Sequence, residues 1–452
     1  MKSNQPSRGV LPLPSDEFRS VLSTARLRLI TVKKLFGFLS YSISVSEKKA
    51  LLLLYGDNGC GKTTILNLLY HLLSPADGEG HRTFIAGKCF QEFSVSFVDN
   101  TVVTAIRPTA VAGPFTMKVC SAGSEVVHHF DVAPDGSVKA QKEPKSYGAL
   151  IRALDKLGLG LFLLPDDRNI QSNLYPRESR TGPNRVVRID EFTAMPMIEQ
   201  EGASFDRYVE LALARSFDWS RKQAIAASNQ GETDTTKIYI EIISRLVTDK
   251  GKNVSREKVP YDQLLNEINS TQEQSVLFSK YGLTPPFIFS ELIGQLEHIP
   301  PSKKGVVNQV LLPYLRSYQA RLKALDRTRK TIDTFAGIFN SFYSNKRFTY
   351  DLKQGIKIES VNTGESLASG VLSSGEKQLL LLFCNVLLAR SVPSVFIIDE
   401  PELSLNVKWQ RRLIESLLAC VEDCDVQFVF ATHSIEMLAS WKNCSSRLNN
   451  ED

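Results

Sequence analysis

Gly56-Asp57-Asn58-Gly59-Cys60-Gly61-Lys62-Thr63, followed by Thr64, is the stretch that decides the fold. It meets the pattern G-x-x-x-x-G-K-[ST] in full. Ahead of it, Leu51 to Tyr55 is a short apolar run suited to a buried parallel strand. Behind it, Ile65, Leu66, Leu68, Leu69, Leu72 and Leu73 recur at helical spacing. Strand, loop and helix therefore follow in order. The glycines let backbone N–H groups curl around phosphate oxygens that a Cβ would obstruct. The helix then aims its N-terminal dipole at the same anion. Lys62 offers the phosphates a point charge, and Thr63 offers a hydroxyl to a divalent cation. The expectation is an α/β fold built on a phosphate loop.

Three more motifs lie far downstream. Leu372-Ser373-Ser374-Gly375-Glu376-Lys377-Gln378 comes first. The apolar run Val395 to Ile398 then ends at Asp399-Glu400. An apolar strand with two acids at its end is a weak signal alone, because such acids are often surface residues. Two adjacent carboxylates with separate tasks nonetheless suit phosphoryl transfer, where Asp399 holds the cation and Glu400 polarises the attacking water. Last, Phe428 to Thr432 leads to His433, 34 residues after Asp399. In isolation, that residue is an ordinary histidine at a strand end.

Together, these residues resemble an ABC-type ATPase. Ser373 to Gln378 is similar to the family signature, in the Ser-Ser-Gly-Glu-Lys-Gln form of the SMC, RecF and OLD-like branch. Pro401 to Asn406 resembles that branch's D-loop, with Asn406 where an acid or histidine is common, and Thr432-His433-Ser434 resembles its switch-histidine loop. The resemblance covers roughly residues 25–170 and 345–440. It implies ATP and Mg²⁺ as cofactors, with nucleotide contacts from Gly56 through Thr64 and from Ser373, Ser374, Gly375 and Glu376. It places the cation on Thr63 and Asp399, the base at Glu400 and the γ-phosphate contact at His433. The Q-loop falls after Leu161–Leu164, which makes Gln171, with Arg168 nearby, the implied nucleotide and metal contact; a plain surface loop stays open there. The family also implies a head-to-head dimer, in which the signature of one copy caps ATP on the loop of the other.

Composition bounds the rest. A chain of 452 residues has room for about two to three domains. At 42% hydrophobic and 23% charged residues it reads as an ordinary globular chain, with no run long enough to span a membrane. The first residues lack a signal-peptide apolar core, so no membrane partner and a cytoplasmic location are expected. Seven cysteines make no paired framework, and Cys420 and Cys424 lack partners for a metal, so reduced thiols are expected. A net charge of +5 is too mild to establish nucleic-acid binding.

The expected organisation is a flexible N-terminus over 1–24, an N-terminal lobe over 25–171 and a linker over 172–204. A helical insertion over 205–344 and a C-terminal lobe over 345–452 complete it. In the N-terminal lobe, Leu27–Ile30 and Tyr41–Val45 alternate as an opening hairpin, and Phe36 or Phe38 between them is placed to stack on a base or to fill core. Further β-rich runs from Phe93 to Val132 suit an antiparallel sheet beside the core sheet. Arg177, Arg180, Arg185 and Arg188 in the linker read as solvated, with a phosphate contact as the sharper alternative. In the insertion, Leu315, Tyr318, Leu322, Leu325, Ile332, Ala336, Phe339 and Tyr343 follow a heptad pattern with Arg329 in one seam position. That suits a short coiled coil in a stubby helical hairpin or lid. Basic residues on its other faces leave DNA contact open.

Ser374 follows Lys62 by 312 positions, far more than a transporter ATPase places there. No acidic nuclease cluster follows His433, and no Cys-x-x-Cys hook lies in the insertion. What remains resembles the ATPase subunits of bacterial anti-phage systems of the Septu or PARIS type, whose nuclease is a separate chain. The expected partners are thus a second copy and a separate effector such as a nuclease. The alternative is a RecF-like repair ATPase that binds DNA directly.

Overall fold

The computed structural model describes residues 26–45, 50–77, 80–121, 123–138, 144–166, 171–172, 205–248, 261–286, 294, 296 and 298–450. The N-terminus expected to be flexible, the linker beyond Ser172, and Arg168 lie outside the described residues. The chain forms two compact units, one of Met1–Phe205 with Asn385–Asp452 and one of Asp206–Cys384.

The first unit holds two six-stranded sheets. The antiparallel one contains β1 (Leu27–Leu35), β2 (Leu39–Ser44), β4 (Glu92–Phe97), β5 (Val102–Ile106), β6 (Phe115–Ser121) and β7 (Ser124–Phe130), in the order β2-β1-β4-β5-β6-β7. Its strands alternate as one covered face demands. In β4, Phe93, Val95 and Phe97 are buried while Glu92, Ser94 and Ser96 are half-buried. The second sheet contains β3 (Leu51–Tyr55), β8 (Gly160–Leu164), β9 (Gln171–Ser172), β12 (Ser394–Asp399), β13 (Val426–Ala431) and β14 (Ser445–Arg447). Its order is β14-β3-β13-β12-β8-β9, parallel except for β9. Every residue of β8, β12 and β13 is buried, as expected of parallel strands covered on both faces. Helix α1 (Lys62–Leu73) sends Ile65, Leu66, Leu68, Leu69, Leu72 and Leu73 into a core shared with both sheets, and α3 (Pro144–Asp155) adds Leu150 and Leu154.

The C-terminal end of α1 is closed by buried polar groups. His71 Nδ1 lies 2.8 Å from His81 Nδ1 on α2 (His81–Ala86), and His81 Nε2 lies 3.0 Å from Ser74 Oγ. Arg82 donates to the carbonyls of His71 and Ser74, both at 2.7 Å, satisfying orphaned acceptors at the helix end. Burial lowers His71 from its ordinary 6.5 to about 3 and His81 to about 4; the neighbouring His81 and Arg82 add to the first shift and Arg82 to the second.

The second unit is mostly helical, with α4 (Phe205–Thr248, its first residue counted in the other unit), α5 (Tyr261–Ser279) and α6 (Pro301–Phe342). The heptad positions of α6 form its covered face: Leu315, Leu322, Leu325, Ile332, Ala336 and Phe339 are buried, and Tyr318 and Arg329 half-buried. The partner is α5, but the pair is not a hairpin. Ile268 clusters with Leu315, Thr271 accepts from Gln319 at 2.9 Å, and Phe278 lies under Arg329 at 5.3 Å. Contacts climb both helices together, so the two run parallel. Periodicity reports which face is apolar, not which way a neighbour runs.

The unit also takes in residues 345–384. The hairpin β10 (Lys346–Asp351) and β11 (Gly355–Ser360) packs on α6, with Phe339 stacked on Phe348 at 4.9 Å. Asn340 exchanges two hydrogen bonds with the backbone of Phe348. Helix α7 (Ser374–Ala389) follows, and its first part belongs here: Phe339 also meets Phe383 edge-on, and Lys377 pairs with Asp206 at 2.5 Å.

A pH dependence follows from the buried histidine pair. Both folded pKa values lie below the unfolded one, so the unfolded chain binds more protons between about pH 3 and 6.5. The contribution to stability is complete above pH 6.5 and is lost as pH falls toward 3. Thermal unfolding should show a midpoint that drops between pH 7 and 4.5, and His81→Asn should flatten that part of the profile.

Candidate active site

Parallel register brings the motifs together. Phe430 pairs with Leu53 and Ala431 with Leu54, while Asp399 pairs with Ala431. The carboxyl ends of β3, β13 and β12 are therefore neighbours, and the phosphate loop, His433 and Glu400 leave from them. Ligands bind at such ends in open α/β sheets. Two backbone bonds brace the exits: Thr432 N–H donates to Leu54 O at 3.0 Å, and Glu400 N–H to Ala431 O at 2.9 Å.

A cavity of about 280 Å³ opens there. Asn58, Gly59, Gly61, Lys62, Thr63 and Thr64 line it, with Phe36, Glu400 and His433. Lys62 is buried and its Nζ donates to Gly56 O at 3.0 Å and Asp57 O at 3.1 Å. Cys60 lies beside it, with Sγ 3.8 Å from Nζ, and Cys60 O accepts from Tyr41 Oη at 3.0 Å. Gly61 has φ +89°, and a Cβ there would come within 2.6 Å of Leu35 Cδ2 and 3.3 Å of Phe36 Cε2. Both conformation and space demand glycine at this point. Phe36 itself sits at φ +56° with its N–H on Cys89 O, and lines the cavity; Phe38 is 67% exposed and is not among the described lining residues.

Asp399 is 3% exposed. Its Oδ2 is buried with no hydrogen-bond partner among the described residues. Burial raises its pKa from the ordinary 3.8 to about 6; the nearby Thr63 hydroxyl and Lys62 oppose this, while Asp166 and Glu400 add to it. A buried carboxylate oxygen lacking a partner, next to a threonine hydroxyl and two further acids, fits a hard divalent cation. Thr63 and Asp399 are the residues that would hold it. Glu400 is half-buried with φ +47°, a strained conformation for a residue with a side chain.

The histidine loop is held by a residue whose role the sequence alone does not reveal. Glu402 Oε1 accepts from Thr432 Oγ1 at 2.7 Å, from His433 N–H at 2.6 Å and from Ser434 N–H at 3.0 Å. Gln410 on α8 (Val407–Cys420) joins the same assembly, donating to Leu405 O at 2.9 Å and contacting Ser434 Oγ at 2.8 Å. Asn406 caps α8, accepting from Trp409 N–H at 3.0 Å. Only an acid two positions after Glu400 hinted at the clamp.

The remaining expected contacts are placed as follows. Gln171 lies in β9 opposite Leu163, and its side chain is outside the described residues. Asp166, at the end of β8, is the loop residue close enough to act on Asp399. In the second unit, Ser373 and Glu376 make a capping box at the start of α7: Ser373 N–H donates to Glu376 Oε2 at 2.7 Å, and Glu376 N–H to Ser373 Oγ at 3.3 Å. Lys346 also pairs with that carboxylate at 2.6 Å, and together these bonds hold the Glu376 pKa below the usual carboxylate range against the opposing effect of burial. The structure thus gives Glu376 a task within its own unit and leaves Ser373 and Ser374 exposed at the helix N-terminus.

Comparison with known proteins agrees with the motif order. Residues 40–102, with the phosphate loop, match a family described as "ABC transporter". Residues 239–439, with the signature, Asp399, Glu400 and His433, match one described as "AAA domain, putative AbiEii toxin, Type IV TA system". No curated protein matches the chain. Similar solved structures include the Smc head domain from Pyrococcus furiosus with an extended coiled coil, bound to the C-terminal domain of ScpA. It is 13% identical, with TM-score 0.36, covering 92% of this chain and 91% of that one. Another is the Smc head domain with a coiled coil and joint from Pyrococcus yayanosii, at 12% identity and TM-score 0.36, covering 92% and 93%. The phosphate loop, the buried acid beside Thr63 and the two family matches indicate an ATP-hydrolysing enzyme with a phosphate-loop fold, similar to ABC-type ATPases.

Asp399 illustrates how such a site costs stability. Replacing it with the neutral, near-isosteric Asn removes a buried charge while retaining the side chain's shape. Without ligand, Asp399→Asn should unfold about 1–3 kcal/mol harder than wild type, while the extra stabilisation by Mg²⁺ with ATP disappears. Calorimetry with and without Mg²⁺–ATP measures both.

Proposed function

We propose that this ATPase is a nucleotide-driven switch whose two copies pair head to head across composite ATP sites and govern a separate effector, a nuclease in anti-phage defence. The observation that carries the ATP-driven part is the convergence of Lys62, Thr63, Glu400 and His433 on one cavity, with Asp399 buried beside Thr63. Lys62 holds the phosphates from the loop side. Phe36, at the cavity, stacks on the base. A divalent cation on Thr63 and Asp399 supplies charge neutralisation for the β- and γ-phosphates. Water attacks the γ-phosphorus, its proton passes to the Glu400 carboxylate, and the bond to the β–γ bridging oxygen breaks to leave ADP and phosphate. The His433 imidazole contacts the γ-phosphate and registers its loss.

Pairing is supported by the second unit. Its capping box rigidly presents Ser373 and Ser374, with the dipole of α7 behind them, as an anion site for another copy's γ-phosphate. The effector reading draws on the matched family's description, which names a "putative AbiEii toxin, Type IV TA system". Among the described residues no helix is long and apolar enough to cross a membrane. A second reading, direct DNA binding by a RecF- or SMC-like ATPase, is favoured by one feature: Arg316, Lys323, Arg327 and Lys330 recur at seven-, four- and three-residue steps on exposed positions of α6.

Three substitutions test the site and the pairing. Lys62→Ala should weaken ATP binding by at least about 2 kcal/mol, roughly thirtyfold; unchanged affinity would remove the phosphate-loop assignment. Glu400→Gln should bind ATP as wild type but turn over about 10²–10⁴-fold more slowly, and accumulate as a dimer in native mass spectrometry with ATP. Co-expression with neighbouring genes then separates the readings: a second chain held in the complex supports the effector, whereas a lone dimer gaining DNA affinity supports the alternative. Mixing inactive Ser374→Arg with inactive Lys62→Ala should restore up to one working site per dimer; no recovery at any ratio argues against composite sites.

A further inference from the structure

We propose that Glu402 is the positioning residue for His433, locking the turn after the base and the γ-phosphate-contacting loop into one rigid body. The inference rests on the reading of His433 as a γ-phosphate contact. One oxygen of Glu402 takes three donors in succession: the Thr432 hydroxyl at 2.7 Å, the His433 N–H at 2.6 Å and the Ser434 N–H at 3.0 Å. Thr432 is fully buried and its hydroxyl also accepts from Ser434 N–H at 2.9 Å, so the turn carrying the imidazole has no slack. His433 itself is exposed toward the cavity, and its backbone is the part that the fold restrains.

The other end of the clamp is as constrained. Glu402 lies between two residues forced into left-handed backbone, Glu400 at φ +47° and Ser404 at φ +66°. Leu403 N–H closes on Glu400 O at 3.0 Å and Leu405 N–H on Glu402 O at 2.9 Å, making a tight turn directly after the base. Strain of this kind persists only where surrounding contacts over-determine it. Glu402 supplies those contacts, with Gln410 bracing the same two loops from α8. Any displacement of the turn is therefore passed to the histidine. Glu402 touches no reacting atom, so its effect on turnover runs through the placement of His433.

Reach, rather than charge, is what the clamp requires. The second oxygen, Oε2, is buried and has no hydrogen-bond partner among the described residues, so an amide nitrogen can replace it while Oε1 keeps its three donors. Glu402→Gln should therefore retain kcat within about threefold. Glu402→Asp keeps the charge but falls one methylene short; kcat should drop on the order of 10²-fold, the scale of an ångström-sized misplacement, with KM for ATP within about threefold. In a His433→Ala background, Glu402→Asp should cause no further loss, because its effect already runs through the missing imidazole. Steady-state ATPase kinetics of these four variants decide the matter. Glu402→Gln as impaired as Glu402→Asp, or losses that multiply in the double variant, overturns the clamp while leaving His433 in its role. Wild-type turnover in His433→Ala alone removes the γ-phosphate reading itself, and the clamp with it.

Discussion

The structure depends on the register of three parallel strands. Leu54, Ala431 and Asp399 lie side by side because apolar runs of similar length pair in step. A slip of one residue would swap side chains between the sheet's two covered faces and separate the exits of the phosphate loop, Glu400 and His433. The register is held by burial: β12 and β13 hide every residue, so no shifted pairing exposes less apolar surface. Residues hundreds of positions apart thus meet without any local instruction to do so.

At those strand ends the fold accepts local cost. Asp399 is buried with an oxygen lacking a partner, Glu400 sits in strained backbone, and Gly61 is pressed against Leu35 and Phe36. Each lies where the proposed site would hold phosphates and a cation, and such costs are characteristic of functional sites. Hydrogen-bonded polar groups brace the surroundings. The α1 helix that begins with Lys62 ends in a network of His71, Ser74, His81 and Arg82. Glu402 and Gln410 hold the loop opposite. Rigid surroundings around a strained centre are what a site needs if its groups are to be placed before substrate arrives.

Much of the site was legible in the chain because its chemistry is local. A phosphate cradle needs glycines and a lysine at set spacing, and a cation-holding acid needs a strand end. Lys62, Thr63, Asp399, Glu400 and His433 could be named from such patterns. Glu402 could not, since a carboxylate that accepts hydrogen bonds from residues 30 to 32 positions away leaves no periodic trace. Glu376 shows the converse: it lies within a recognisable motif, yet its carboxylate is bound to Ser373 and Lys346.

The second unit divides along the same line. Heptad spacing identified the covered face of α6, since which residues avoid water is a property of the helix itself. That α5 runs parallel to it, and that the unit includes the 346–360 hairpin, depend on which surfaces fit, as in Phe339 against Phe348. The sequence by itself determined the fold class, the strands and helices bearing the chemistry, and the residue types at the phosphate loop, because backbone geometry and burial act over a few residues. Only the tertiary structure decided the shared cavity, the orphaned oxygen of Asp399, the clamp on His433 and the extent of each unit. Those follow from distances between segments, which register and packing set and composition does not.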